Sequence, residues 1–520
     1  MSDKDRFKIS RRQLVIGGTG VTGLATLGTL IGRSQWGADG RFVVAINQMP
    51  PGIDYSTIDF GINAAKPMLE NINEALVAKN AAGDRVPGLA EWSYSPDGKM
   101  VEFRLRRDVH FHDGSPFTAE DVKFSHERLF KHGTFYRSRM RDFERVEIVD
   151  DHTVRFYFSS LANAFVRVRS LYIFSKRYHD KVGEERFSSA PVGTGPYRLV
   201  DYRPFEHADL DAFEGYWGGA PQVKRVRLAF VQEDMTRVAM LRSGEADMIM
   251  AAPFPMVPSL EEAGFVRAQA DMHPTFSLRF QLANKSTPWA DRRVRLALAH
   301  AIDAESIRNG LFGGIPKRYA GFAPGEPGYN PDIKPFSYDP DLSRRLLAEA
   351  GYANGFTLPV TYWTNSYYGI RETTEAVALY LKAIGVSCEI SAIEATQGLE
   401  FVRSISKNPN VRMSMVSPAI FASYGDPVEA MRQAYSGLTP YSWYNDDTFD
   451  DAVRGALAAK DDADQAHYLK LAARRLHEDV PTIPLWNNVA VYMMRRGVEY
   501  RPMGRDIPSL SLENIDLVAT

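Results

Sequence analysis

Residues 85–129 constrain this chain most, because every local signal in them agrees on strand, turn and helix in succession. Pro96-Asp97-Gly98 is a turn: proline presets φ, aspartate bonds its own backbone, and glycine accepts positive φ. Val101, Phe103 and Leu105 then alternate with Glu102, Arg104 and Arg106, the period-two pattern of a half-buried strand. After a second turn at Asp113-Gly114, a helix opens with Thr118 as N-cap and Asp121 at N3. Phe117 and Val122 take the flanking positions of a hydrophobic staple. Such a cap contributes about 0.5–2 kcal/mol.

The rest of the chain reads as alternating strands and helices, which predicts α/β lobes. Residues 41–47 form an apolar strand broken by Met49-Pro50-Pro51-Gly52, a loop position that often touches ligand in α/β sheets. Residues 73–78 and 153–158 supply strands of a second unit. Gly244 caps a helix end, residues 288–301 form an amphipathic helix, and Asp339-Pro340 starts a helix that stops at Gly351. A helix over 372–384 ends at Gly385 and leads into a strand where Val386, Cys388 and Ile390 share an apolar face. That makes Cys388, the single cysteine, a buried structural thiol. A last helix covers about 463–478.

At 520 residues the chain exceeds what one core usually organises, and 44% hydrophobic residues suffice for two or three domains. Lys+Arg of 62 against Asp+Glu of 64 argues against nucleic acid as a partner. Ahead of the fold, Arg11 and Arg12 close a basic segment and precede an uncharged Gly/Thr-rich run over 14–31, the form of a twin-arginine export signal.

Catalytic constellations are missing from the sequence. Gly193-Thr194-Gly195-Pro196 lacks the third glycine of a dinucleotide fingerprint. His110 and His112 share a strand face at a spacing a metal could use, yet no second Cys/His cluster completes a site, so no metal and no cofactor are expected. What the sequence offers instead is aromatic density with interleaved polar groups: Trp363 and Asn365; Phe421, Ser423, Tyr424 and Asp426; Tyr441 and Trp443; and Trp486. Flat rings beside hydroxyls and amides suit an amphipathic, backbone-rich ligand. With Met49, these ten residues are the candidate ligand set.

Several motifs carry a resemblance. Leu89-Ala90-Glu91-Trp92, Asp97-Gly98, Phe111-His112-Asp113-Gly114 and Thr118-Ala119-Glu120-Asp121-Val122 stand in that order. Gly193-Thr194-Gly195-Pro196-Tyr197 and Val480-Pro481-Thr482-Ile483-Pro484-Leu485-Trp486 follow. The pattern is similar to the peptide/nickel/oligopeptide family of ABC-transporter solute-binding proteins, extracellular family 5, with one residue missing before Trp92. The resemblance implies a type II periplasmic-binding-protein fold, two hinged lobes plus an extra domain. Its boundaries are then a signal region 1–39, a discontinuous lobe I of 40–66, 193–285 and 489–520, an extra domain 67–192, and lobe II 286–488. It implies a monomer at the periplasmic or extracytoplasmic face that binds a peptide or peptide-like solute and delivers it to the transmembrane permease subunits. A nickel chelate, opine or oligosaccharide is the alternative ligand, and an exported peptidase or amidase the alternative class. In dipeptide-binding relatives an aspartate three residues before the Gly-Asp-Pro aspartate pairs with the ligand amine; here that position is Ser423, and Asp426 is the Gly-Asp-Pro aspartate.

Overall fold

Ala90–Tyr94 and Met100–Leu105 pair antiparallel across the expected turn, where Gly98 holds φ at 69° and Asp97 accepts from the Lys99 amide at 3.1 Å. Val101, Phe103 and Leu105 are buried as their alternation requires. The helix that follows, Ala119–His132, is capped from inside: Asp121 accepts from the Thr118 amide at 2.9 Å and from its hydroxyl at 3.1 Å. Phe143–Asp150 and Thr153–Phe158 complete a four-stranded sheet, against which this helix packs, and the helix Lys176–Ser189 packs on this helix in turn. Buried Arg128 ties the unit together, bonding Asp54, Ser56 and Glu184 at 2.7 Å each.

The computed structural model describes residues 40–519, apart from 49–51, 55, 58–61, 81–83, 133–135, 138–139, 141, 161, 163–170, 365–366, 407, 419–425, 440, 460 and 504–509. The export signal at Arg11 and Arg12 lies outside the described residues. Among the described residues no helix is long and apolar enough to cross a membrane.

A ten-stranded mixed sheet forms the frame. Its order is Val386–Glu394, Phe356–Thr364, Ser414–Pro418, Val266–Phe280, Thr482–Met494, Met248–Met250, Phe42–Ile46, Arg225–Phe230, His207–Ala212 and Tyr197–Arg203. Phe42–Ile46 runs parallel to both neighbours and is buried on both faces, as an unbroken apolar run predicts. Phe42, Val44 and Ile46 enter one core, Val43 and Ala45 the other. The two longest strands, Val266–Phe280 and Thr482–Met494, lie at the centre, antiparallel, with register shifts between Asp271 and Thr275 and between Phe276 and Ser277.

One expectation changes. Val386–Glu394 is the outermost strand, so only Val386 is fully buried; Cys388 is half-buried and Ile390 is exposed. Burial still pushes the Cys388 thiol up to about 11, away from nucleophilic chemistry. The Gly-Thr-Gly turn proves to be a backbone junction. Gly195 donates to Ile72 O at 2.9 Å, and the His112 amide donates to Gly193 O at 2.9 Å. His112 Nε2 lies 2.9 Å from Gly195 O, while its Nδ1 receives the Gly193 amide at 3.3 Å. Both ring nitrogens are engaged, and burial holds His112 down at about 4, so the imidazole is neutral.

Candidate ligand site

The central strand Val266–Phe280 builds the site by alternation. Phe276, Leu278 and Phe280 enter one apolar core, leaving Ser277 and Arg279 for the opposite face. Neighbouring strands add to that face, since Arg279 stands across from Thr482 and Met415, and Ser277 across from Pro484 and Ser417. A cavity of about 100 Å³ opens here, walled by Thr275, Ser277, Asp426, Tyr435, Thr482 and Pro484 among others. Several polar groups around it are buried without a hydrogen-bond partner among the described residues: Ser417 Oγ, Thr482 Oγ1, Trp443 Nε1 and Arg279 Nη1.

The described candidates fall into three settings. Asp426 borders the cavity and caps the helix Pro427–Tyr435, its Oδ1 accepting the Val428 and Glu429 amides at 2.8 and 2.9 Å. Trp363 and Tyr441 pack, half-buried, on a small cluster of Val402, Ile405, Met415 and Trp443. Trp443 is buried there, with the Arg279 guanidinium 5.2 Å from its ring. Trp486 is in the larger core, stacked on Phe276 at 5.6 Å and 5.1 Å from the Phe312 ring. Met49, Asn365, Phe421, Ser423 and Tyr424 lie outside the described residues. Asp446 is committed elsewhere: it caps the helix Asp447–Ala458 and pairs with Arg475 at 2.6 Å, which holds its carboxyl below the usual range.

Arg279, Ser277 and Thr482 were not candidates from sequence. For Ser277 and Arg279 the signal was present in Thr275 to Leu282, where polar and apolar residues strictly alternate with an arginine among the polar ones. Elsewhere, Asp201, His207 and Asp209 lie close enough together to hold a cation. Arg227 already binds Asp209 through two bonds of 2.8 Å, and Arg41 approaches it at 3.3 Å, so this is an ion-pair network.

This mixed sheet, threaded by two long central strands, has the type II periplasmic-binding-protein fold. DppA from Helicobacter pylori, solved in complex with the peptide STSA, has this fold with a TM-score of 0.76 at 23% identity, covering 94% of this chain and 99% of that one. CtaP from Listeria monocytogenes gives 0.79 at 21%, covering 92% and 99%. Residues 84–442 match the profile of bacterial extracellular solute-binding proteins, family 5 (middle region), and the chain belongs to that family. It is a solute-binding protein of the ABC-importer type. The glutathione-binding protein GsiB of Escherichia coli K12 is 27% identical over 411 residues, 76% of this chain and 79% of GsiB. Heme-binding protein A of Haemophilus influenzae is 25% identical over 549 residues, 97% and 98% of the two chains.

Proposed function

We propose that this protein captures a peptide or peptide-like solute outside the cytoplasm, closes two lobes over it, and delivers it to a membrane permease. One observation carries the reading: Thr482 Oγ1 in the cavity wall, and Ser417 Oγ and Trp443 Nε1 outside that wall, are buried with no hydrogen-bond partner among the described residues. Buried polar groups are normally satisfied, so a ligand rich in amide donors and acceptors suits this wall. The lobes would be residues 40–66, 193–285 and 489–520 on one side and 286–488 on the other, with 67–192 as the extra domain. The strands Val266–Phe280 and Thr482–Met494 would be the hinge. Relatives support the ligand class, since one is named for glutathione and others hold the peptide STSA or the dipeptide Met-Leu.

Mass spectrometry of small molecules released from the purified protein tests this directly, with small-angle scattering before and after ligand addition. Peptides should be released, and the radius of gyration should fall on binding. A non-peptide solute, or an unchanged radius at saturation, refutes the corresponding half of the proposal. Ser423 brings no charge to the position that reads the amine in dipeptide-binding relatives, so N-acetylation should cost little affinity. A loss of more than about 3 kcal/mol by calorimetry would mean a carboxylate reads the amine.

A further inference from the structure

Three other buried arginines among the described residues are well paired. Arg237 gives its donors to the carbonyls of Met250, Val231, Gln232 and Ala251 and to Asp234. Arg295 bonds the carbonyls of Trp289, Ala290, Asp479 and Val480 and the Asp479 carboxylate. Arg128 pairs with Asp54 and Glu184. Arg279 differs. It is 2% exposed, its Nη2 donates to Ala434 O at 2.7 Å, and its Nη1 meets no acceptor among the described residues. The guanidinium lies 5.3 Å from the Tyr435 ring centroid and 5.2 Å from that of Trp443, and no carboxylate among the described residues pairs with it.

Arg279 lies behind the wall of the cavity rather than in it, and its neighbours form that wall. Tyr435 on one side, and Ser277 and Thr482 on the strands, are cavity-lining neighbours of Arg279. The cavity's own carboxylates are engaged by backbone amides, Asp426 as a helix cap and Glu326 by the Ala323 amide at 2.8 Å. The unspent groups nearby are mostly donors: Arg279 Nη1, Trp443 Nε1, and the hydroxyls of Thr482 and Ser417. A cavity of about 100 Å³ has room for a carboxylate. A planar fork with two flanking rings is suited to a planar anion.

We propose that Arg279 is the anion-reading residue of the ligand site and takes a carboxylate of the bound solute. The inference rests on the solute-binding reading and adds the charge of the ligand. The carboxylate could be a peptide's C-terminus or an acidic side chain, and the chemistry of recognition is the same.

The test uses three synthetic tetrapeptide libraries of Ala, Ser, Leu and Phe, offered to the full-length purified protein and to Arg279→Met, with retention read by native mass spectrometry. One library has free C-termini, one has C-terminal amides, and one has amides carrying a single Glu. Retention of the free acids over the plain amides by about tenfold or more, lost in Arg279→Met, supports reading of the C-terminus. Rescue by the Glu-bearing amides supports reading of a side chain. Equal retention of all three libraries overturns the role of Arg279 and leaves the peptide reading intact. If no library is retained, the peptide reading falls, and thermal shifts with succinate, citrate and galacturonate decide the rest. A shift that Arg279→Met abolishes supports the inference, and the absence of one overturns it. Folding is controlled by the apo proteins. Removing an unmatched buried cation should leave the unfolding midpoint equal or higher, whereas Arg237→Met should lower it. An Arg279→Met protein that is destabilised like Arg237→Met yet binds normally would make Arg279 structural.

Discussion

Replacing Gly193 with alanine should break the junction between the Gly-Thr-Gly turn and residues 71–73. The added Cβ would stand 1.9 Å from Ile72 O and 2.7 Å from Ile72 C, backbone atoms that cannot swing aside. Relieving that overlap requires the two segments to part by roughly 1 Å, which stretches bonds now near 2.9 Å beyond the roughly 3.5 Å where hydrogen bonding fails. Two bonds span that gap, Gly195 to Ile72 and Tyr197 to Asn71. At about 1 kcal/mol net for each buried bond, the expected loss is about 2 kcal/mol. Urea unfolding of the purified variant measures it, with Gly114→Ala as control. Gly114 has φ of 83° but nothing within 4 Å of its Cβ, so it bears only the left-handed cost of about 1–2 kcal/mol. A Gly193→Ala loss below about 1 kcal/mol would refute the close-approach account of this motif.

Burial pushes the Glu74 carboxyl up from 4.5 to about 7, against hydrogen bonds from Trp217 and Tyr216 that favour its charged form. The folded state therefore holds this proton more tightly; its contribution is full below pH 4.5 and is lost as pH rises through 7. Glu74→Gln should flatten that limb by about 3 kcal/mol and exceed wild type above pH 7 in unfolding titrations; an unchanged pH profile would sink the assignment. Changing Arg11 and Arg12 together to lysine preserves charge and should abolish export by the twin-arginine route; normal delivery of the double variant in a fractionation assay would show that the pair is not read.

Local grammar was legible because its causes are local. Asp339 caps its helix through the Leu342 amide at 2.8 Å, Gly244 sits at φ 81° behind Ser243, and Val294, Ala297 and Leu298 face inward, as the spacing required. What the sequence hid depended on which strand became whose neighbour. Ile390 looked like a core residue by alternation, yet its strand ended at the sheet edge with a partner on one side only. The rings of Trp443 and Trp486 read alike in sequence, but one lies beside Arg279 and the other on Phe276, an outcome set by contacts between residues far apart in the chain. Arg279 itself was overlooked because an arginine in an alternating strand ordinarily reads as the solvent face; only the covering helix Pro427–Tyr435 makes that face interior.

The position of Thr482–Met494 at the middle of the ten-stranded sheet has a consequence for synthesis. Val266–Phe280 and Met248–Met250 are made first and are joined only by this later strand. Until the ribosome has passed residue 494, the sheet is two unconnected parts, each with a bare hydrogen-bonding edge of the kind that invites wrong partners. Nascent chains are thus most exposed to aggregation just before completion. A truncation ahead of residue 482 should yield an insoluble product with a long open strand, rather than a smaller binder.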